Sequence, residues 1–274
     1  MAIESFKIII LSYNDGFMLS RLLNDLKSVK DVVVVDSYST DNTRDIVEGF
    51  NRKFIKQKFI NQANQINTAI NDHFDPNDWV LRLDSDERIS SELLLEIDTL
   101  VKTEIDFVGY INRNMYWMGK RLKFASLSKH YIGRLYQPKN ATYEEVTEEH
   151  LIHQCRSIRL SNTFYEDNIK NDIKFFVNKH IETASGELEE LLKPANTETG
   201  NIFANEAHLV RRWFKLNAYN KLPMFLRGVF YFLYRYIMKG GFLDGKAGFS
   251  FCFFQAFFYR MLIDQMLWER LNGK

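Results

Sequence analysis

The stretch Trp79-Val80-Leu81-Arg82-Leu83-Asp84-Ser85-Asp86 decides the fold, because an apolar strand pattern in it ends abruptly in carboxylates. Two carboxylates one residue apart, roughly 5 Å from each other, repel by about 3 kcal/mol at an effective dielectric of about 20. We therefore expect a positive group beside them. A divalent metal that carries substrate phosphates is the natural candidate, since Mg²⁺ is usually held by one or two carboxylates and phosphate oxygens. Acidic loops are common, so the flanking sequence has to decide.

Strand and helix patterns alternate before this stretch. Apolar runs at 7–12 and 31–36 are typical of strands buried on both faces of a sheet, and a helical pattern follows each of them. A weaker strand near 54–55 precedes a helix from about 61 to 73. This alternation predicts βαβ units and a mostly parallel sheet with flanking helices.

Two aspartates, Asp36 and Asp84, follow apolar runs directly. Ligands of open parallel sheets bind at the carboxyl ends of the strands, so both side chains are candidates for a ligand site. The alternative is that Asp36 only caps the next helix. Asp41, within a segment rich in cap and turn residues, is the better candidate for that cap.

Composition excludes several classes of protein. The 274 residues are 46% hydrophobic, and the net charge of +1 argues against a nucleic-acid partner, whose binders usually carry a basic excess. Cys155 and Cys252 lie far apart without His or Cys neighbours at metal-ligand spacing, which favours a reduced, cytoplasmic protein. The N-terminal segment has one short apolar run and reads as a first strand rather than a signal peptide.

Three segments, 34–41, 61–67 and 79–87, resemble in order and spacing the nucleotide-sugar half of bacterial family 2 glycosyltransferases with the GT-A fold. The resemblance implies that Asp36 contacts the base or ribose of a nucleotide diphosphate sugar, that Asp86 binds Mn²⁺ or Mg²⁺, and that Asp84 helps to hold ribose and metal. Tyr38 stands where the family usually has a small glycine. The donor-binding residues implied are Ser12, Tyr13, Asn14, Asp36, Gln62, Asn67, Arg82, Asp84 and Ser85.

The acidic segment 144–150 is typical of a solvated surface when composition alone is considered. Glu148-Glu149-His150 is, however, similar to the Asp-Glu-His segment that supplies the family's catalytic carboxylate. The resemblance implies Glu149 as the base, with Glu148 next. In an inverting displacement one positioned carboxylate suffices to take the acceptor proton.

A helical pattern at 222–239 combines basic residues with a broad aromatic surface. Arg227, Arg235 and Lys239 share about a third of the circumference, which favours a helix lying on anionic lipid. A helix packed on the catalytic domain or on another subunit is the alternative. In the next helix Arg260 and Asp264 have the spacing of an ion pair. Lys246 is a further candidate for acceptor or membrane contact, and 186–201 is predicted to be a linker or lid.

The predicted organisation is an α/β GT-A domain at 1–215, with a donor half at about 1–105 and an acceptor half at about 106–215, followed by amphipathic helices at 216–274. Resemblance at 232–245 to enzymes that build surface polysaccharides implies an inverting, metal-dependent transferase acting on a lipid-linked or lipopolysaccharide glycan. The resemblance places it on the inner face of the bacterial cytoplasmic membrane, and a homo-oligomer is a further expectation. The alternatives are a nucleotidyltransferase and a non-catalytic membrane-surface scaffold.

Overall fold

The computed structural model describes residues 2–126, 130–144, 151–166, 173–192 and 222–273. The chain divides into two compact units, unit 1 at 1–115 and 129–167 and unit 2 at 116–128 and 168–274. The boundary predicted at residue 215 lies outside the described residues. Residues 173–192 group with unit 2, since the helix they form packs on the C-terminal helix.

Unit 1 follows the predicted strand and helix alternation. Its helices are α1 (Gly16–Asp25), α2 (Thr43–Gly49), α3 (Gln62–His73) and α4 (Ser91–Thr103). Its strands are β1 (Lys7–Ser12), β2 (Val32–Asp36), β3 (Lys53–Lys56), β4 (Val80–Asp84), β5 (Glu87–Arg88), β6 (Phe107–Trp117, whose last two residues belong to unit 2), β8 (His130–Tyr136), β9 (Ala141–Tyr143), β10 (Leu151–His153) and β11 (Arg156–Glu166). The α/β class and the predicted helix near 61–73 are confirmed.

The strand order in the main sheet is β3-β2-β1-β4-β8-β6-β11-β5. The first four strands of this order are parallel to one another, whereas β8 is antiparallel to β4 and β6. Strand β1 lies between β2 and β4, so three parallel strands end side by side. Strands β9 and β10 form a separate hairpin.

The sheet is buried on both faces, as the uninterrupted apolar runs require. Alternate residues of β1 point to opposite sides, Ile8 and Ile10 towards α1 and α4, and Ile9 and Leu11 towards α3. Helix α3 begins at a side-chain cap, where Asn61 accepts a hydrogen bond of 2.7 Å from the backbone of Asn64. This packing fixes the strand ends from both sides.

The described residues of unit 2 are mainly helical, and they include the end of β6 and β7 (Lys120–Leu122), which pairs with β6. Its helices are α5 (Ile173–Leu192), α6 (Leu226–Leu233), which continues as a π-helix (Tyr234–Met238), a 3-10 turn (Gly241–Asp244), α7 (Gly245–Cys252), a second π-helix (Phe253–Phe258) and α8 (Tyr259–Leu271). The predicted linker is wrong for its first part, because residues 186–192 belong to α5. In the ranges that the structure describes, no helix is long and apolar enough to cross a membrane.

Asp244 ties the 3-10 turn of unit 2 to the segment that follows β7. Its buried carboxylate accepts hydrogen bonds from the backbone N–H groups of Lys123, Phe124 and Ala125, at 2.8–3.1 Å. Arg235 donates to the carbonyl of Ala125 at 2.5 Å. A buried carboxylate that accepts several N–H bonds has its charge compensated, so this arrangement stabilises the interior of unit 2.

Candidate functional site at the strand ends

Three polar residues, Ser12, Asp36 and Asp84, stand at the carboxyl ends of adjacent parallel strands. Ser12 of β1 is in register with Asp36 of β2, and Leu11 is in register with Asp84 of β4. The two aspartates flank the end of β1 and stand two strand spacings apart, about 10 Å. Ser12 is buried, and its hydroxyl has no hydrogen-bond partner within the described part of the chain. The sheet thus places both carboxylates at the same edge, with Asp36 on the face of Ile8 and Ile10 and Asp84 on the face of Ile9 and Leu11.

Asp36 is fully buried and held by the loop that follows it. Its carboxylate accepts a hydrogen bond from the Ser39 backbone at 2.8 Å and a short one from the Ser39 hydroxyl. Asp41 accepts from the backbone of Gly16 and of Thr43, at 3.0 and 3.1 Å, so it caps the starts of α1 and α2. The capping role expected for Asp41 is therefore confirmed, and Asp36 is left to organise its own loop.

Asn14 joins the loops that follow β1 and β2. Its N–H donates to the Ser39 hydroxyl at 2.7 Å, and its side-chain oxygen accepts from the Thr40 backbone at 2.8 Å. Beside this junction the rings of Tyr13 and Tyr38 are exposed. The Lys56 ammonium lies 5.8 Å from the centre of the Tyr38 ring. The junction therefore presents two aromatic rings next to Asp36.

The Asp84 carboxylate bridges the buried interior and solvent, with its side chain 27% exposed. One oxygen accepts from Arg82 at 2.9 Å and from Gln62 at 3.3 Å, and the other accepts from Arg134 at 2.9 Å. Burial by itself would raise the pKa of Asp84, but the charges of Arg82 and Arg134 outweigh it and hold that pKa well below its usual range. Asp84 is therefore ionised over the physiological pH range.

Arg134 also binds Glu87, the next carboxylate along the chain. Glu87 accepts from Arg134 at 2.7 Å and from the backbone N–H of Asp84 at 2.9 Å. Burial raises the pKa of Glu87 to about 7, against the opposing effect of the Arg134 charge. The neighbouring carboxylates raise the pKa of Arg134 in spite of its burial, so the guanidinium remains charged.

Sequence reasoning missed Arg134 as a member of this cluster. It is 2% exposed, and within the described part of the chain its Nε and Nη1 atoms have no hydrogen-bond partner. The available signal was a lone arginine in the apolar strand 130–136, which burial would require to be paired. Its partners lie 47 and 50 positions away, and only the antiparallel pairing of β8 with β4 identifies them.

Asp86 lies half-buried in the two-residue turn between β4 and β5. The preceding Ser85 donates to Asp15 at 2.7 Å, which fixes one side of this turn. Across the described ranges no cluster of three or more His, Cys, Asp or Glu side chains could hold a metal by itself. A metal bound here would therefore need ligands from elsewhere, such as substrate phosphates.

Asn67 has different partners from those expected for a donor ligand. Its amide donates to the backbone carbonyl of Tyr143 at 2.8 Å and accepts from the Tyr143 N–H at 3.0 Å and the Thr142 hydroxyl at 3.2 Å. The structure thus uses Asn67 to attach β9 to α3. Glu148 and Glu149, the predicted bases, lie outside the described residues.

The predicted basic surface on the C-terminal helix is wrong for two of its cations. Arg227 is buried and paired with Asp264, and Arg235 is buried with its guanidinium 5.2 Å from the Phe251 ring. Arg260 pairs with Glu187 at 2.7 Å instead of with Asp264. Only Lys239 and Lys246, of the four cations proposed, are exposed.

The chain belongs to glycosyl transferase family 2, since the model of that family matches residues 7–163. The matched region contains the strand-end cluster, and the membership predicted from three motifs is confirmed.

Curated relatives match part of the chain. The chain is 35% identical over 96 residues to an uncharacterized glycosyltransferase of Rickettsia felis, which is 35% of this chain and 33% of the relative. It is 32% identical over 140 residues to one of Rickettsia typhi, 49% of this chain and 47% of the relative. The matches thus span between a third and a half of these relatives.

A solved mannosyltransferase of Pyrobaculum calidifontis, in complex with GDP-Man and Mn²⁺, has a similar fold with a TM-score of 0.55. The match covers 98% of this chain and 88% of that chain at 13% identity. At this identity the likeness concerns the fold alone, and it confirms the predicted GT-A architecture.

Proposed function

We propose that the protein transfers a sugar from a nucleotide diphosphate donor bound at the ends of β1, β2 and β4. The observation that carries this proposal is the register that places Ser12, Asp36 and Asp84 at the same edge of the sheet, at adjacent strand ends within the region matched by the family model. Ligands of open parallel sheets bind at this edge. A nucleotide is a suitable occupant because it offers hydrogen-bonding groups to carboxylates and a flat base to exposed rings.

Asp36 contacts the base or ribose in this proposal, with Tyr13 beside the base and Asn14 holding the two loops together. Asp84 contacts ribose, and Arg82 and Gln62 orient its carboxylate. Because both Asp84 oxygens have partners on the protein, it is better suited to positioning than to being the main metal ligand. We favour a uridine nucleotide on the basis of the family resemblance.

Asp86, with support from Asp84, would hold Mn²⁺ or Mg²⁺. The residues fit such an ion, since one or two carboxylates and substrate phosphate oxygens are its usual ligands. A bound divalent ion would supply Lewis-acid stabilisation of the leaving diphosphate. The turn at Ser85 and Asp86 would set the position of the carboxylate through the bond from Ser85 to Asp15.

The transfer step proposed is a single displacement with inversion. An acceptor hydroxyl oxygen forms the bond to the anomeric carbon as the bond from that carbon to the diphosphate oxygen breaks. The hydroxyl proton passes to a carboxylate, Glu149 or Glu148, and the nucleoside diphosphate leaves with the electron pair. We propose a lipid-linked or lipopolysaccharide glycan as acceptor, on the inner face of the cytoplasmic membrane.

Titration calorimetry with UDP and Mn²⁺ tests the donor site. We expect binding by the wild type and at least about a tenfold loss in Asp86→Ala, because one of few metal ligands is removed. Asp72→Ala, which removes an exposed carboxylate on α3, is the matched control and should bind as the wild type does. Equal binding by Asp86→Ala would refute the metal assignment.

Product analysis separates the alternatives. A glycosyltransferase releases nucleoside diphosphate from a nucleotide sugar, whereas a nucleotidyltransferase releases pyrophosphate from a nucleoside triphosphate. If no nucleotide binds at millimolar concentration with metal present, the non-catalytic scaffold is favoured. Glu149→Gln is expected to bind donor and to fail in transfer, and if Glu148→Gln does so instead, the base is reassigned.

A further inference from the structure

The helix α6 and its π-helical continuation turn an apolar side to the outside of unit 2. The exposed residues recur at intervals of three and four, so they form one continuous side of the helix. They are Leu226, Val229, Phe230, Leu233, Tyr234, Ile237 and Met238. Phe230 and Ile237 are 53% and 57% exposed, although a water-soluble helix ordinarily places such side chains inwards.

The opposite side of this helix is fixed inwards by its charges. Arg227 bonds to the buried Asp264 of α8, and Arg235 bonds to the carbonyl of Ala125. Rotating the helix to bury its apolar side would break both contacts. Asp264 and the carbonyl of Ala125 would then lose their hydrogen-bond donors. A buried charge left without its partner is strongly destabilising, so the observed orientation is preferred.

The apolar side continues onto the 3-10 turn and α7. Phe242, Leu243 and Phe249 are exposed there. The Tyr236 ring connects them to α6, with its centre 6.3 Å from the Phe242 ring and 5.6 Å from the Phe249 ring. We call the exposed apolar residues of α6, its π-helical continuation, the 3-10 turn and α7 the outer apolar face.

The exposed charges next to the outer apolar face are positive. Residues 222–250 contain five charged side chains, of which Arg227, Arg235 and Asp244 are buried. The two that are exposed are Lys239 and Lys246. The Lys239 ammonium lies 5.5 Å from the centre of the Tyr234 ring, so its aliphatic stem runs beside the apolar side chains. Lysines at such an edge can extend their ammonium groups into a polar layer.

We propose that the outer apolar face is a docking surface for an anionic lipid membrane, entered to the depth of the headgroup and acyl boundary. Large apolar areas on a protein surface mark interaction sites. Aromatic and aliphatic side chains beside lysines, with no exposed carboxylate at 222–250, match the chemistry of an anionic bilayer surface. Membrane binding of this kind is independent of whether the strand-end site transfers a sugar.

Flotation of the full chain with lipid vesicles tests the proposal. The wild type should bind vesicles of phosphatidylcholine and phosphatidylglycerol more tightly than vesicles of phosphatidylcholine alone. In the double variant Phe230→Ser, Ile237→Ser binding should weaken about 100-fold, because two side chains no longer leave water. Lys239→Gln with Lys246→Gln should lower the preference for phosphatidylglycerol by about tenfold.

Leu95→Ser with Ile105→Ser is the matched control, since both side chains are exposed apolar residues of unit 1. This control should bind vesicles as the wild type does. Thermal melts by circular dichroism check the fold, and Met238→Ser with Leu243→Ser replaces the first variant if that one melts early. The proposal would be overturned if the wild-type protein bound neither kind of vesicle. It would also be overturned if the folded variants bound vesicles as tightly as the wild type. Light scattering tests the other occupant. If the wild type is a dimer and the Phe230→Ser, Ile237→Ser variant is a monomer, the outer apolar face is assigned to a second copy of the chain instead.

Discussion

The strand-end cluster of unit 1 and the interior of unit 2 both bury arginines against carboxylates, but the two arrangements end differently. In unit 1, Arg82 and Arg134 converge on Asp84, whose side chain is 27% exposed and reaches solvent. In unit 2, Arg227 converges on Asp264, which is 1% exposed. The first arrangement leaves part of a charged carboxylate accessible to solvent, whereas the second is sealed between helices.

The difference predicts which substitutions affect ligand binding and which affect folding. A charged side chain that reaches solvent can replace a bound water with a ligand, so substituting it should alter ligand affinity. A fully buried ion pair cannot contact a ligand. Removing one of its partners should therefore change only the free energy of unfolding. The following three predictions test this division, beginning with the largest effect.

Asp264→Ala should lower the free energy of unfolding by about 3–5 kcal/mol, because it leaves Arg227 buried without its partner. The backbone N–H of Phe225 would also lose its bond of 2.7 Å. Urea denaturation followed by circular dichroism measures the change. Asp264→Ala with Arg227→Met should recover a large part of it. If the single variant is as stable as the wild type, the pair is not sealed and the contrast with unit 1 fails.

Local sequence patterns predicted the strands and the candidate site of unit 1 well, because each change from apolar strand to carboxylate occurs between consecutive residues. Asp36 and Asp84 were found in this way, and the parallel strand order places both at the same edge of the sheet. Arg134 was missed since its partners are set by the register of an antiparallel strand far along the chain. Such pairing leaves no mark in the neighbouring residues.

In unit 2 the sequence predicted the helix but not which side faces inwards. The expectation that cations point to the surface is a good average rule, yet Asp264 lies 37 positions from Arg227 and reverses it. Arg260 was likewise expected to pair within its own helix, whereas it pairs with Glu187 of α5. Long-range ion pairs therefore decided the orientation that periodicity left open.

The second prediction concerns the pH dependence of stability in unit 1. Burial raises the pKa of Glu87 from 4.5 to about 7, so the folded state prefers the protonated carboxyl. Stability from this group is present below pH 4.5 and is lost as the pH rises towards about 7. We expect a decline of up to about 3 kcal/mol in that interval.

Glu87→Gln, which cannot titrate, should remove most of this decline when urea denaturation is repeated across the pH range. Asp84 acts in a separate window, because its lowered pKa makes stability fall only when the pH drops below about 4. Equal slopes in wild type and Glu87→Gln would show that Arg134 keeps Glu87 ionised throughout.

The smallest effect is expected at Tyr38, where stability and binding should move in opposite directions. Its φ is +62°, a left-handed conformation that is costly for a bulky side chain and natural for glycine. Tyr38→Gly should therefore raise the free energy of unfolding by about 1 kcal/mol, since relief of strain exceeds the entropic cost of glycine.

The same variant removes an exposed ring beside Asp36, so we expect nucleotide binding to weaken several-fold in calorimetry. Tyr13→Ala is the control, because Tyr13 is equally exposed but is not among the residues with positive φ. It should weaken binding without raising stability. A Tyr38→Gly protein that is stabilised and binds nucleotide as the wild type does would mean that the strain at this loop serves no ligand. If the strain is retained for binding, loss of the Tyr38 ring should lower nucleotide affinity even though it stabilises the fold.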